Sequence, residues 1–247
     1  MNYLRAALFG LTQGLTEFLP VSSSGHLILL ERLSHAAPSV FLNLCLHLST
    51  LLAVLVVMRG EVWEMIRHPI RSDCKYLVLA SVLTAGVALL LETLCPALLE
   101  GTMLPFCFLL TAALLVLGET LPKGLSRGVS LRSALIVGAV QGVAVLPGVS
   151  RSGATISALR LCGTDEKRAT EFSFLLSVPV IAGGFLVEGV KSGFAVEGVS
   201  LSELLVAMAV AFVSGLFAAK FMLRARKKTL PFALYTFAMG VLSFFLL

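Results

Sequence analysis

Two stretches of the chain repeat each other, residues 10–25 (GLTQGLTEFLPVSSSG) and residues 138–153 (GAVQGVAVLPGVSRSG). They align without a gap at a constant offset of 128 residues, and seven of the sixteen positions are identical. Both copies hold Gln, Ser and Gly within otherwise apolar sequence, which is unusual for a simple membrane-spanning helix. An internal duplication of this kind is typical of membrane proteins whose binding site lies where the two halves meet.

The composition indicates an integral membrane protein. Of its 247 residues, 57% are hydrophobic and 13% are charged, and the mean hydropathy is +0.97. Soluble domains carry about 25% charged residues. Because backbone groups in lipid must be satisfied internally, and because the apolar runs do not alternate in polarity, we expect an all-α polytopic membrane protein. The net charge of +5 comes from basic loops, so it indicates orientation in the membrane, and no nucleic-acid partner is predicted.

Length and hydrophobicity predict one membrane domain with six spanning helices and two re-entrant helical hairpins. The duplicated segments, about 1–33 and 131–163, each have two short arms around a Gly/Pro/Ser-rich tip, which predicts the hairpins. The spans are predicted at about 39–58, 76–95, 103–118, 169–190, 201–221 and 229–246. Repeat one then covers about 1–118 and repeat two about 131–247, and each contains a hairpin and three spans.

The basic residues predict that the two repeats are inverted. A repeat with an odd number of spans leaves the next repeat upside down in the membrane. Four loops, at 59–75, 119–132, 160–168 and 222–228, hold 14 of the chain's 19 Lys and Arg residues. If all four face the cytoplasm, the positive-inside rule is obeyed. Both chain termini then lie outside, the hairpins enter from opposite sides, and their tips meet within the membrane.

Glu17 is a carboxylate inside an apolar arm of the first hairpin. Such a group is costly unless it is paired or faces a wet cavity. It is therefore either a structural residue paired with a cation, or a base, an orienting group or a metal ligand. Gln13 lies four residues earlier on the same helical face, and Gln141 repeats it, whereas the position that matches Glu17 is Val145.

The two tips, at residues 20–26 (PVSSSGH) and 147–155 (PGVSRSGAT), predict an anion site. Hydroxyls and small residues before a helix start direct backbone N–H groups and the positive end of the helix dipole at one point. Arg151 lies in the second tip, and its planar guanidinium suits phosphate. The alternative is a salt bridge to Glu17 with no ligand. The predicted binding residues are Gln13, Ser22, Ser24, Gly148, Ser150, Ser152 and Thr155.

Two histidines receive different interpretations. His26 adjoins the three serines of the first tip, so it is predicted to act as a nucleophile or a general acid/base. His47 lies within a predicted span and is interpreted as a hydrogen-bonded core residue. Beyond the tips, Glu171 is expected to form a helix-end ion pair with Arg168 and Lys167.

Several of these motifs together resemble the undecaprenyl-diphosphate phosphatase family of the bacitracin-resistance type. The motifs are Gln13-x-x-x-Glu17, the two tips, and residues 171–179 (EFSFLLSVP), and the resemblance covers essentially the whole chain. It implies an enzyme of the bacterial inner membrane with inverted repeats and an active site open towards the outer face. The implied reaction removes the terminal phosphate of undecaprenyl diphosphate, which recycles the lipid carrier for peptidoglycan synthesis and gives bacitracin resistance.

The resemblance also implies site residues and a cofactor. The implied catalytic residues are Glu17, Ser23, His26 and Arg151, with roles also for Ser150 and Thr155. Either Ser23 attacks the terminal phosphorus with His26 as acid/base and Glu17 assisting, which is the preferred assignment, or His26 attacks directly. A divalent cation, Mg or Ca, is also implied. Many family members have Glu where this chain has Gln13, so Glu17 is the one obvious carboxylate ligand that this chain offers.

Other functions stay open at this point. A lipid-phosphate flippase would also use inverted repeats and broken helices. The acid-phosphatase-like lipid phosphatases require a His where this chain has Ser157, and a purely structural scaffold explains neither Arg151 nor the hydroxyl-rich tips. The predicted partners are bilayer lipid and undecaprenyl diphosphate, and a homodimer is an assembly that the sequence leaves open.

Overall fold

A computed structural model describes residues 2–35, 39–69, 73–120, 128–193, 199–224 and 229–246 of the chain. Within these ranges the regular structure is entirely helical, with eleven α-helices and one short 3₁₀ turn at Pro96–Glu100. The α-helices are α1 (Tyr3–Phe18), α2 (Ser23–Leu33), α3 (Val40–Val57), α4 (Arg59–Arg67), α5 (Cys74–Leu94), α6 (Leu104–Thr120), α7 (Leu131–Val143), α8 (Arg151–Leu161), α9 (Glu166–Ser192), α10 (Leu201–Arg224) and α11 (Leu230–Leu246).

Four helices are long and apolar enough to cross a membrane. They are α3, α5, α9 and α10, with 18, 21, 27 and 24 residues. Helices α6 and α11 are also apolar, with 17 residues each, which is at the lower end of the length that spans a bilayer. All six predicted apolar segments are therefore helical, and the prediction of an all-α membrane protein is confirmed.

Each duplicated segment forms two short helices joined by a turn, α1–α2 and α7–α8. Helix α1 ends where Leu19 takes an extended conformation before a proline, because the residue before proline is disfavoured in the α region. The second arms begin at serine caps: the hydroxyls of Ser22 and Ser150 accept hydrogen bonds from the backbone N–H of Gly25 at 3.3 Å and of Gly153 at 3.1 Å. The repeated V-S-x-S-G pattern is thus, in each copy, a helix N-cap.

Glycines in the first arms let each arm pack closely on a helix of the other half. A Cβ on Gly10 of α1 would collide with the backbone carbonyl of Ala207 in α10. A Cβ on Gly138 of α7 would lie 2.7 Å from the carbonyl oxygen of Ala80 in α5. Small residues permit this approach of helices in lipid. Helix α1 therefore packs along α10, and its repeat counterpart α7 packs along α5.

The two hairpin tips are in contact, as the sequence predicts. The hydroxyl of Ser152 in the second tip donates to the carbonyl of Leu19 in the first, at 3.2 Å. Gly148 has φ 96°, a left-handed conformation that favours glycine, and its carbonyl accepts from the Thr111 hydroxyl of α6 at 2.9 Å. A Cβ on Gly25 would lie 3.0 Å from the Cα of Gly148, so the tips meet through small residues.

The ion pair predicted at the start of α9 is present. The Arg168 guanidinium lies 3.3 Å from Glu171, and Lys167 lies 3.7 Å from the same carboxylate. Arg168 also contacts Asp73 at 2.6 Å, at the start of α5. These charges link the ends of α5 and α9, away from the hairpin tips.

Candidate active site

Glu17, in the last turn of α1, is the centre of the site. Its side chain is only 5% exposed, and hydrogen-bond donors from both hairpins surround it. Arg151 Nη2 donates to Oε1 at 2.5 Å, while Ser23 Oγ and Gln13 Nε2 donate to Oε2 at 2.7 Å and 3.0 Å. A buried carboxylate needs such partners, and charge-assisted hydrogen bonds are stronger than hydrogen bonds between neutral groups. The structure therefore brings the predicted residues Glu17 and Arg151 into direct contact.

Arg151 is the first residue of α8, and the neighbouring helix fixes its position. Its Nη1 donates to the backbone carbonyl of Ser173 in α9 at 3.4 Å. Thr155, one turn later, donates to the carbonyl of Arg151 at 2.8 Å and lies 2.6 Å from the Ser173 hydroxyl. Thr155 and Ser173 are both fully buried, so they hold the first turn of α8 against α9.

A partly open pocket of about 200 Å³ lies beside Glu17 and Arg151. Its polar lining consists of Thr16, Glu17, Ser22, Ser23, Ser24, His47, Gln141, Ser150 and Arg151. Its apolar lining consists of Ala144, Val145, Val149, Val180 and Ile181. Helices α2 and α8 both begin at this pocket, so the positive ends of two helix dipoles face it. The pocket combines a cation, helix starts and hydroxyls, which is suited to a phosphate group.

His47 of α3 makes the expected hydrogen bond, but its side chain lines this pocket and does not lie in the core. Its side chain is 32% exposed, and its Nδ1 lies 2.9 Å from Gln13 Nε2 and 3.5 Å from Glu17 Oε2. The available sequence signal was a histidine within an apolar span, since ionisable residues at membrane depth are usually paired and face a cavity. Gln141 and Thr16 also line the pocket, and neither is among the predicted site residues.

His26 lies beside the pocket, on the side of α6 and α11. Its Nδ1 donates to the carbonyl of Ser22 at 2.6 Å, and its Nε2 then accepts from the Tyr235 hydroxyl at 2.7 Å. Its ring is perpendicular to the ring of Phe108, at a centroid distance of 5.4 Å. Among the contacts of the described residues, none joins His26 to Ser23 or Glu17. Both ring nitrogens are engaged by other protein groups, so a direct chemical role for His26 beside Glu17 stays a prediction.

The backbone of the first tip is bent sharply at Ser22. This residue has φ 72°, which is costly for a residue other than glycine. Its carbonyl holds His26, and its hydroxyl caps α2 and lies 3.4 Å from the hydroxyl of Ser24. The bend lets Ser23 turn back towards Glu17 at the start of α2.

Four predicted binding residues do not line the pocket and instead contact residues that do, or lie next to them in the chain. Gln13 is fully buried beneath Glu17, and Thr155 is buried beneath Arg151. Gly148 and Ser152 support the contact between the tips, where they meet Gly25 and Leu19. Ser22, Ser24 and Ser150, in contrast, line the pocket, and their binding of substrate stays a prediction.

The residues at the pocket do not fit a metal centre built by the protein. Within the described ranges, no group of three or more His, Cys, Asp or Glu side chains could hold a metal ion. Protein donors occupy both oxygens of Glu17, and Gln13 directs its nitrogen towards this carboxylate. Mg²⁺ sites of phosphate enzymes take many of their ligands from substrate phosphates and water. A cation at this pocket would depend on such ligands.

Comparison with known proteins gives a consistent family assignment. Residues 6–242 match the family model of the bacitracin resistance protein BacA. The undecaprenyl-diphosphatase of Carboxydothermus hydrogenoformans is 36% identical over 250 residues, covering 98% of this chain and 96% of that protein. The enzymes of the same name from Christiangramia forsetii and Bacteroides fragilis are 38% and 35% identical, and each alignment covers 98% of this chain and 97% of the relative. The chain belongs to the BacA family.

Proposed function

We propose that this protein hydrolyses undecaprenyl diphosphate to undecaprenyl phosphate and inorganic phosphate. The observation that carries the proposal is the pocket in which Ser23 and Arg151 both contact Glu17. A hydroxyl bonded to a carboxylate, next to a guanidinium, is an arrangement suited to phosphoryl transfer. The family and the names of its members support the same reaction.

The terminal phosphate of the substrate binds at the helix starts of the pocket. Arg151 and the first turns of α2 and α8 supply positive charge there, with hydroxyls from Ser24 and Ser150. When the phosphate arrives, the guanidinium turns part of its donor fork from Glu17 to the phosphate oxygens. This movement frees one carboxylate oxygen and strengthens Glu17 as a base.

Ser23 is the proposed nucleophile. Its hydroxyl already donates to Glu17 at 2.7 Å, so the carboxylate is placed to take the proton as the serine oxygen attacks the terminal phosphorus. The bond from that phosphorus to the bridging oxygen breaks, and undecaprenyl phosphate leaves. Water then attacks the phosphoserine, phosphate is released, and the proton returns to Ser23. The alternative of direct attack by His26 is disfavoured because both of its ring nitrogens are engaged.

The finer architecture is part of the proposal. We infer six spans and two re-entrant hairpins, in inverted repeats of about 1–118 and 131–247, within a single domain. Reciprocal packing supports this inference: α1 packs on α10 as α7 packs on α5, and α6 packs on its counterpart α11. With the basic loops in the cytoplasm, the first hairpin is entered from the outer face of the inner membrane. There the product is available for recycling in peptidoglycan synthesis, and this recycling gives bacitracin resistance.

The experiment is phosphate release by purified protein in detergent with undecaprenyl diphosphate as substrate. Wild type is expected to release phosphate, and Ser23→Ala and Arg151→Ala are expected to lose most of the activity. Ser202→Ala and Arg5→Ala are matched controls, because both residues are exposed near helix starts and neither lines the pocket. Redistribution of the lipid in vesicles without phosphate release would favour the flippase, which no feature of the pocket requires.

A further inference from the structure

Gln13 connects Glu17 to His47 through a single buried amide. Its Nε2 lies 3.0 Å from Glu17 Oε2 and 2.9 Å from His47 Nδ1, with Thr50 Oγ1 farther away at 3.5 Å. The nitrogen, and not the oxygen, must face the carboxylate, because two oxygens without a hydrogen between them would repel. An amide nitrogen carries two hydrogens, so it can donate to both Glu17 and His47.

This bond fixes the tautomer of His47. A neutral imidazole has one N–H and one acceptor nitrogen, and here Nδ1 accepts from Gln13. The ring proton is therefore on Nε2. No hydrogen bond to Nε2 is found among the described residues, and the ring is partly exposed where it lines the pocket. His47 thus presents an unused N–H donor to the space that the phosphate would fill.

We propose that His47 is a further substrate-contacting residue, whose Nε2–H binds a phosphate oxygen of the diphosphate, and that Gln13 is the positioning residue that fixes its tautomer. The inference rests on the proposed function for the identity of the ligand. Its chemistry is the recognition of a phosphate anion by a neutral donor that lines the same pocket as Arg151. His26 is not an equivalent donor, because its Nδ1–H is used by Ser22.

Gln13 has this role in this chain, where His47 faces position 13, and the many family members with Glu at this position must satisfy that side chain with other partners. A glutamate there would place a second carboxylate beside Glu17, and like charges at this distance are unfavourable in a buried site. It would also present only acceptors to Nδ1, which moves the ring proton from Nε2 to Nδ1 and removes the donor from the pocket. Gln13→Glu is therefore expected to resemble loss of His47 in phosphate binding.

The test compares His47→Leu, His47→Gln and Gln13→Glu with wild type. His47→Leu is expected to lower kcat/KM for undecaprenyl diphosphate on the order of 10- to 100-fold, which is the loss of one hydrogen bond to a charged group. His47→Gln can still direct an amide N–H into the pocket, so it should recover much of this loss. His68→Leu is the matched control, since His68 is exposed after α4.

A second readout separates this inference from the hydrolytic function. Binding of inorganic pyrophosphate to the purified protein, measured by calorimetry in detergent, should weaken in His47→Leu and Gln13→Glu by a similar factor, and the double variant should be no weaker than either. This outcome supports the inference even if wild type releases no phosphate. Unchanged pyrophosphate binding and unchanged kcat/KM in a folded His47→Leu protein would overturn it, as would His47→Gln behaving like His47→Leu in both measurements.

Discussion

Ser23 and Arg151 occupy the same position of the two repeat copies, and they donate to opposite oxygens of one carboxylate, that of Glu17. The duplication thus provides two similar helix starts, and divergence at this single position gives one a hydroxyl and the other a guanidinium. The position that matches Glu17 is Val145, which lines the same pocket as an apolar wall. Because the halves differ at both positions, one asymmetric pocket forms, and the repeat does not produce two equivalent sites.

The guanidinium of Arg151 should not be replaceable by an amine. Arg151→Lys keeps the charge beside Glu17 but loses the planar fork that reaches both this carboxylate and the Ser173 carbonyl. We expect kcat/KM to fall on the order of 10- to 100-fold in the phosphate-release assay, with thermal stability close to wild type. Arg5→Lys is the control. Wild-type kinetics in Arg151→Lys would show that the planar fork of Arg151 is not needed for activity.

His26 should act through the backbone of the first tip. His26→Ala removes the hydrogen bond that holds the Ser22 carbonyl in its left-handed bend, and displacement of Ser23 should reduce kcat by about 100-fold. His26→Asn places an amide N–H near the same carbonyl and should recover part of the activity. If His26→Ala is inactive and the asparagine variant gives no recovery, a direct chemical role for the ring is favoured instead.

Gly148 should be intolerant of any side chain. Its φ of 96° disfavours other residues, and a Cβ would lie 2.7 Å from the Cβ of Cys107 and 2.8 Å from the carbonyl oxygen of Leu104. Together these effects should cost about 2 to 5 kcal/mol in Gly148→Ala, seen as a lower melting temperature in detergent. Gly183→Ala is the control: its Cβ would meet open space in a helix, so stability should stay equal or rise slightly.

The inverted topology can be tested by labelling single cysteines in an otherwise cysteine-free protein. A cysteine at Ser202, at the start of α10, should react with a membrane-impermeant maleimide in intact cells. A cysteine at Glu64 of α4 should react only after the membrane is opened, because the loop at 59–75 is placed in the cytoplasm. Labelling of both positions from the same side would contradict the proposed repeats.

The helices could be predicted from the sequence because length and hydrophobicity decide where they lie. The six apolar segments and both interrupted hairpins occur within a few residues of their predicted bounds. The role of the repeated serines was only partly predictable. Ser22 and Ser150 line the pocket, but both serines also cap helices. The alignment of the two copies alone could not show whether a serine is repeated for helix capping or for ligand binding.

The histidines show why the site itself was harder to predict. His26 follows three pocket-facing serines in the sequence, yet its ring contacts Tyr235, which is 209 residues away. His47 lies in a different helix from its partner Gln13, 34 residues distant, and no local pattern indicates that pair. Residues adjacent in sequence point to different sides of a helix start. The directions of their side chains therefore could not be predicted without knowing how several helices pack together.

The most direct test follows the terminal phosphate of the substrate. Purified protein is mixed with undecaprenyl diphosphate labelled at the terminal phosphate, quenched within a turnover, digested and analysed by mass spectrometry. We expect label on Ser23 in wild type, loss of that label with loss of phosphate release in Ser23→Ala, and neither loss in Ser202→Ala. Label on His26, or full phosphate release by Ser23→Ala, would contradict the proposal that Ser23 is the nucleophile activated by Glu17.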